Sequence, residues 1–186
     1  MIAPMPSRHL GSGGVDSESL PPLTLIVESC KDAASARRAA FQLALVSHDG
    51  YVRISRTEDV MAISSHADEL AGQRRTQCRI LANLTFRDGA NIAVPGTEAR
   101  SARESWVHGT QALLRGDLAT FRDQVIAAES LLEDALLQAA LAEAASGGES
   151  DEKITQFYLD MSLAVHHERL HWNALCRELD PSQAAK

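Results

Sequence analysis

Large aromatic side chains are scarce in this chain. They make up 4% of 186 residues, as two Trp, two Tyr and four Phe. That scarcity argues against a sandwich or barrel whose core is filled by aromatics, and the abundant Ala and Leu favour helices packed closely through small side chains. Cysteine is equally thin. Cys30, Cys78 and Cys176 are odd in number and far apart, with no CxxC pair and no zinc-ligand spacing. They read as buried or half-buried free thiols of a reducing cytoplasm. No apolar run approaches the roughly 20 residues that span a bilayer, and the first 20 residues lack the continuous apolar segment of a secretory signal. A soluble, cytoplasmic protein without a membrane partner is therefore expected. Basic charge is in deficit too: the net charge of −7 opposes non-specific nucleic-acid binding. The chain also lacks G-x-S-x-G, a phosphate-cradling glycine loop and a basic stripe with interleaved aromatics, so an enzyme is not expected.

What is present is periodicity. The apolar content of 45% in a chain about one domain long is enough for a proper core. Residues 1–20 are rich in Ser, Gly and Pro and read as a disordered tail, residues 21–180 as a helical bundle, and 181–186 as a C-terminal tail. Arg115-Gly116-Asp117 is a stop followed by a start: Gly116 suits a left-handed helix end and Asp117 an N-cap. After it, Phe121, Val125, Ala128, Leu132, Ala135 and Ala139 recur at alternating spacings of four and three, one face of a long amphipathic helix over 117–145. A first helix is expected over 23–46, with Ile26, Cys30, Ala33, Ala34, Phe41 and Leu45 as its stripe and Arg37 and Arg38 at its middle. Ser47-His-Asp-Gly50 reads as a turn and Tyr51–Ile54 as a short extended connection. Ser55-x-x-Glu58 fits a capping box that opens a second helix to Phe86, with Ile63, Ala67, Leu70, Cys78, Leu81 and Leu84 apolar. Thr97 would cap a short helix to Leu114. Ser150 or Asp151 would cap the last, which runs to Leu179 before Pro181.

The last helix has two apolar faces. Ile154, Tyr158, Met161, Val165, Trp172, Leu175 and Leu179 form one, and Leu159, Leu163, Leu170 and Ala174 the other. A rim helix needs only one, so a homo-oligomer is expected. Four long helices with short first and last connections, and a long middle one holding its own short helix, match a ferritin-like four-helix bundle with a crossover between helices 2 and 3.

A resemblance points the same way. Leu25-Ile-Val-Glu-Ser-Cys-Lys-Asp32, Gly96-Thr97 ahead of Trp106, Arg115-Gly-Asp117, Glu129 and His167 follow one another in an order similar to that of a bacterial, proteobacterial ferritin-like four-helix-bundle family known as a domain of unknown function (PA-type). The resemblance covers about residues 23–176. It implies a ferritin-like bundle and no activity. Residues 47–56 are more turn-like than that family's pattern, and Leu136 stands where it usually has tyrosine.

A two-metal ferritin-like centre needs a carboxylate from each of two helices and Glu-x-x-His from each of the others. Glu168-x-x-His171 is one such pair. Glu129 stands about 16 residues before the end of its helix and Glu168 about 16 after the start of the next, which is the same level in an antiparallel pair. The second helix offers only the reversed His66-x-x-Glu69, and Arg37 and Arg38 stand where the first helix should give a carboxylate. Two readings follow. Glu129 and Glu168 are halves of a buried charge network with an arginine, or Glu129, His167, Glu168 and His171 hold iron or another divalent metal in iron handling or oxidative-stress defence. The acidic residues of the third long helix (Glu129, Glu133, Asp134, Glu143) otherwise read as a solvated face. The expected role is a non-catalytic structural or interaction bundle that self-associates and needs no cofactor. A partner-binding domain whose acidic surface docks a basic protein is a further reading.

Overall fold

The computed structural model describes residues 32–57, 60–86, 95–146 and 149–180. These form five α-helices and, among the described residues, no strand. In chain order they are α1 (Ala33–Ile54), α2 (Met61–Phe86), α3 (Thr97–Leu114), α4 (Leu118–Ser146) and α5 (Glu149–Leu179). The two expected tails, the first turns of the expected first helix and Glu58 of the expected capping box lie outside the described residues. No helix among the described residues is long and apolar enough to cross a membrane.

Caps set several of the ends. Asp32 is extended and its side chain accepts a hydrogen bond from the Ser35 N–H at 2.9 Å, so α1 starts after it. Gly116 has φ +75°, the left-handed conformation that Gly adopts without a Cβ clash. Asp117 then accepts the Thr120 N–H at 2.9 Å and opens α4, as its sequence predicts. Two expected caps are corrected. Gly96, not Thr97, is the N-cap of α3, and its own N–H is held by Gln42 of α1 at 3.2 Å. Ser150 and Asp151 fall inside α5.

The largest correction concerns residues 47–54. They are neither a turn nor an extended connection but the last two turns of α1, and Ser55 is its C-cap rather than the N-cap of α2. The reason is tertiary. Ser47, Gly50, Tyr51 and Ile54 are buried at helical spacing, and Gly50 is small because Trp106 lies on it. A Cβ at residue 50 would stand 2.2 Å from Trp106 Cδ2. A glycine that reads as a turn signal is here a contact surface inside a helix.

Two sequential helix pairs, α1 with α2 and α4 with α5, are joined across the molecule by α1 packing on α4, and α3 packs on both α1 and α4. The short link between α4 and α5 makes them antiparallel, and the cross-contacts agree: Phe121 meets Trp172 while Glu133, farther along, meets His166. Four of the eight aromatics, both Trp among them, meet in one place. Tyr51 packs edge-on to Trp106 at 4.8 Å and stacks with Trp172 at 6.2 Å, and Phe121 meets Trp172 edge-on at 5.6 Å. Four helices thus supply one aromatic cluster. The two faces of α5 separate as well: Tyr158, Met161, Val165 and Trp172 are buried, while Leu159, Leu163 and Leu170 are exposed.

Gly50→Ala and Gly72→Ala should therefore move stability in opposite directions. Nothing lies within 4 Å of a Cβ added at Gly72, so that change should stabilise α2 by about 0.5–1 kcal/mol. At Gly50 the clash with Trp106 should cost about 1–3 kcal/mol. Urea denaturation of both variants decides it, and a Gly50→Ala protein as stable as wild type would contradict the helical packing of residues 47–54.

Candidate functional site

The stripe of α2 is interrupted once. Ile63, Ala67, Leu70, Cys78 and Leu81 are buried at spacings of three and four, and the position between Leu70 and Cys78 is Arg74. Helical geometry therefore aims a guanidinium into the core. Arg74 is only 1% exposed. A charge so placed costs several kcal/mol unless paired and hydrogen-bonded.

All three of its nitrogens are engaged. Nη2 donates to Glu129 Oε2 at 2.7 Å and to Glu168 Oε2 at 2.5 Å. Nε donates to Ser47 Oγ at 3.0 Å and Nη1 to Gln77 Oε1 at 2.6 Å. The Ser47 hydroxyl in turn donates to Glu129 Oε1, so both oxygens of Glu129 are satisfied by different helices. The guanidinium lies 5.9 Å from the centre of the Tyr51 ring. The Tyr51 hydroxyl accepts the Trp172 indole N–H at 3.3 Å. Ser47 and Tyr51 come from α1, Arg74 from α2, Glu129 from α4 and Glu168 from α5, so one cluster ties four helices together.

Its charges do not balance, because two carboxylates face one guanidinium. Burial disfavours the charge of Arg74, but Glu129 and Glu168 more than offset this and hold it firmly protonated. The imbalance falls on Glu168. Burial pushes its carboxyl up, Arg74 pulls it down and Glu129 pushes it up again, leaving it at about 7. Burial, followed by the nearby Glu129 charge, also raises the Tyr51 hydroxyl well above its ordinary range.

A second ion pair lies farther along α4. Glu143 is fully buried and accepts from both Nε and Nη2 of Arg37, the latter at 2.9 Å. Burial raises the neighbouring Tyr158 hydroxyl, with Glu143 adding to the rise; that hydroxyl has no hydrogen-bond partner among the described residues.

The expected arginine–carboxylate network is thus present with a different arginine. Arg37 meets Glu143 and Arg38 meets Ser35, the latter at 3.0 Å. Because α1 continues to Ile54, Ser47 and Tyr51 occupy the central level; Arg37 is ten residues, about 15 Å of helix, nearer its start. The acidic face of α4 also divides. Glu129 and Glu143 are buried, Glu133 is half-buried against Arg169 and His166, and Asp134 is exposed. Both signals were in the spacing. Glu129, Leu132, Leu136, Ala140 and Glu143 repeat at three and four, and Arg74 fills the gap in the stripe of α2.

Of the four residues considered as metal ligands, Glu129 and Glu168 are brought together, at Arg74. His167 is exposed, and its ring neighbours that of His166. His171 is exposed on one side and packs against the His66 ring at 4.3 Å, while His66 also meets Trp172 at 4.8 Å. Burial lowers the His66 imidazole below its ordinary value, and His171 adds to this. Among the described residues, no group of three or more His, Cys, Asp and Glu side chains is arranged to hold a metal ion. Comparison with protein-family models, curated proteins and solved structures finds no match. The donor set does not fit a divalent cation in this arrangement: Arg74 donates to both carboxylates, and no histidine among the described residues is hydrogen-bonded to either of them.

Removing Arg74 alone should leave two buried carboxylates facing each other. Arg74→Met should cost about 3–5 kcal/mol, and adding Glu129→Leu and Glu168→Leu should recover most of that loss. Chemical denaturation of the single and triple variants measures both, and a triple variant no more stable than Arg74→Met would contradict this energetic account. Glu168 also predicts a pH dependence. Folded protein holds the Glu168 proton up to about pH 7, whereas the group ordinarily releases it near 4.5. Between those values the folded state binds more protons, so this group's contribution falls as pH rises through the window. Glu168→Gln should therefore gain stability relative to wild type, by on the order of 3 kcal/mol, between pH 4.5 and pH 8. A difference between the two proteins that is constant with pH would refute the shift.

Proposed function

We propose that this chain is a non-catalytic ferritin-like helical bundle that serves as a structural or interaction module and associates with its own copies. The observation that carries the reading is Arg74 donating to both Glu129 and Glu168. Those carboxylates stand where a ferritin-like bundle would place metal ligands. Here they neutralise a buried guanidinium and join α2 to α4 and α5. A site in which both oxygens of Glu129 and one of Glu168 already accept from neighbouring side chains works as a fastening. The pairing of α1 with α2 and of α4 with α5, with α3 in the connection between the pairs, supports the ferritin-like description. The exposed leucines on α5 support self-association. The module takes no cofactor on this reading, and neither nucleic acid nor membrane is a partner.

Elemental analysis of the purified protein, repeated after aerobic addition of ferrous iron, tests this. The expected result is sub-stoichiometric metal and no ferroxidase signal. Stoichiometric iron that is lost in Glu129→Gln or Glu168→Gln would overturn the reading in favour of iron handling or oxidative-stress defence.

A further inference from the structure

The outward face of α5 carries a narrow apolar strip. Leu159, Leu163 and Leu170 are 41%, 56% and 56% exposed, and Ala174 is exposed in line with them. At about 100° per residue the four fall within roughly 60° of one another around the helix, away from the buried Tyr158, Met161, Val165 and Trp172. The positions of the strip are symmetric about a point between His166 and His167. Leu163 and Leu170 are equidistant from that point, as are Leu159 and Ala174, and as are Gln156 and Arg177.

We infer that α5 pairs with the α5 of a second copy of this chain, antiparallel, with the two-fold axis passing between His166 and His167. This rests on the reading of the bundle as a self-associating module and gives it a face and a register. In that pairing Leu163 packs on the partner's Leu170 and Leu159 on the partner's Ala174, each contact occurring twice, as a two-fold interface requires. Alternation of larger and smaller apolar groups lets the helices approach closely.

Charge supports the same orientation. Lys153, Asp160, His171 and Glu178 are all exposed and lie along one flank of the strip. The two-fold axis of an antiparallel pair is perpendicular to both helices and keeps that flank on the same side in both copies. Antiparallel pairing then sets Lys153 opposite the partner's Glu178, a pair of opposite charges, and Asp160 opposite the partner's His171, whose ring N–H can donate to the carboxylate. The contact runs from Gln156 to Arg177, about 32 Å of helix. A single helix pair belongs to the smaller, reversible class of interfaces, so the association depends on concentration.

Size-exclusion chromatography with light scattering on the full chain, across a wide concentration range, tests the face. Wild type should reach the mass of two chains at the upper concentrations. The double variant Leu163→Asp with Leu170→Asp should remain monomeric, with association at least tenfold weaker. Leu114→Asp, an equally exposed leucine on α3 (58%), should behave as wild type, and circular dichroism should show all three folded. A wild type that is monomeric throughout would overturn the pairing and the self-association behind it together. A dimer that survives both aspartates would overturn the α5 face alone. The register is read separately: Leu163→Cys and Leu170→Cys chains, mixed and oxidised, should form a 163-to-170 disulfide on peptide mapping in preference to either like-to-like bond. A predominant 163-to-163 bond would overturn the antiparallel register.

Discussion

The charge of Arg74 constrains the rest of the molecule. A guanidinium that is 1% exposed is tolerated only where several acceptors meet it, and the acceptors come from three other helices as well as its own. Ser47 fixes α1, Gln77 shares α2, Glu129 fixes α4 and Glu168 fixes α5. A shift of any one of these helices by a single turn, about 5.4 Å, would leave a buried charge or hydroxyl without its partner. Apolar contacts among Ala and Leu tolerate sliding far better, because one small side chain replaces another at similar cost. The charge cluster therefore specifies register where the alanine-rich core supplies mainly cohesion.

The aromatic cluster works with it. Tyr51 stands between the guanidinium and the Trp106 and Trp172 rings, and its hydroxyl accepts the Trp172 N–H. Four of the eight aromatics, both Trp among them, thus lie at the level where polar groups are buried, where large side chains exclude water most effectively and strengthen the ion pairs they surround. Gly50 makes room for that arrangement by letting Trp106 lie directly on α1. Two features that look unrelated in the chain, a glycine and an isolated arginine, serve one packing solution. The second pair, Arg37 with Glu143, repeats the device nearer the start of α1.

Helical class, the positions of α3 and α4, the Gly116-Asp117 break and the two faces of α5 were legible because each depends on local spacing or local capping. Stripes at three and four, a left-handed glycine and an aspartate cap act within a few residues of one another. The Ser47–Gly50 segment misled for the same reason: its residues favour a turn locally, and only contact with Trp106 and Glu129 makes them helix. Glu129 and Glu168 were recognisable as level partners from their distances to the α4–α5 link. The burial of Glu143 was signalled only by its spacing from Leu132, Leu136 and Ala140, against the rule that acidic residues on a long helix usually face water.

The sequence by itself determined that this chain forms long amphipathic helices, where most of them break, and that Glu129 and Glu168 face each other across a short link. Those are consequences of periodicity and chain length. The stripe of α2 marks Arg74 as inward-facing, but that it, rather than Arg37 or Arg38, meets the two carboxylates was decided by the tertiary structure. Arg37, Arg38 and Arg74 carry the same charge, and nothing in their chemistry ranks them. The choice follows from how far α1 extends before it turns, because that length sets which residue of α1 stands level with Glu129. With α1 running to Ile54, that residue is Ser47, and the space beside it is filled from α2 by Arg74.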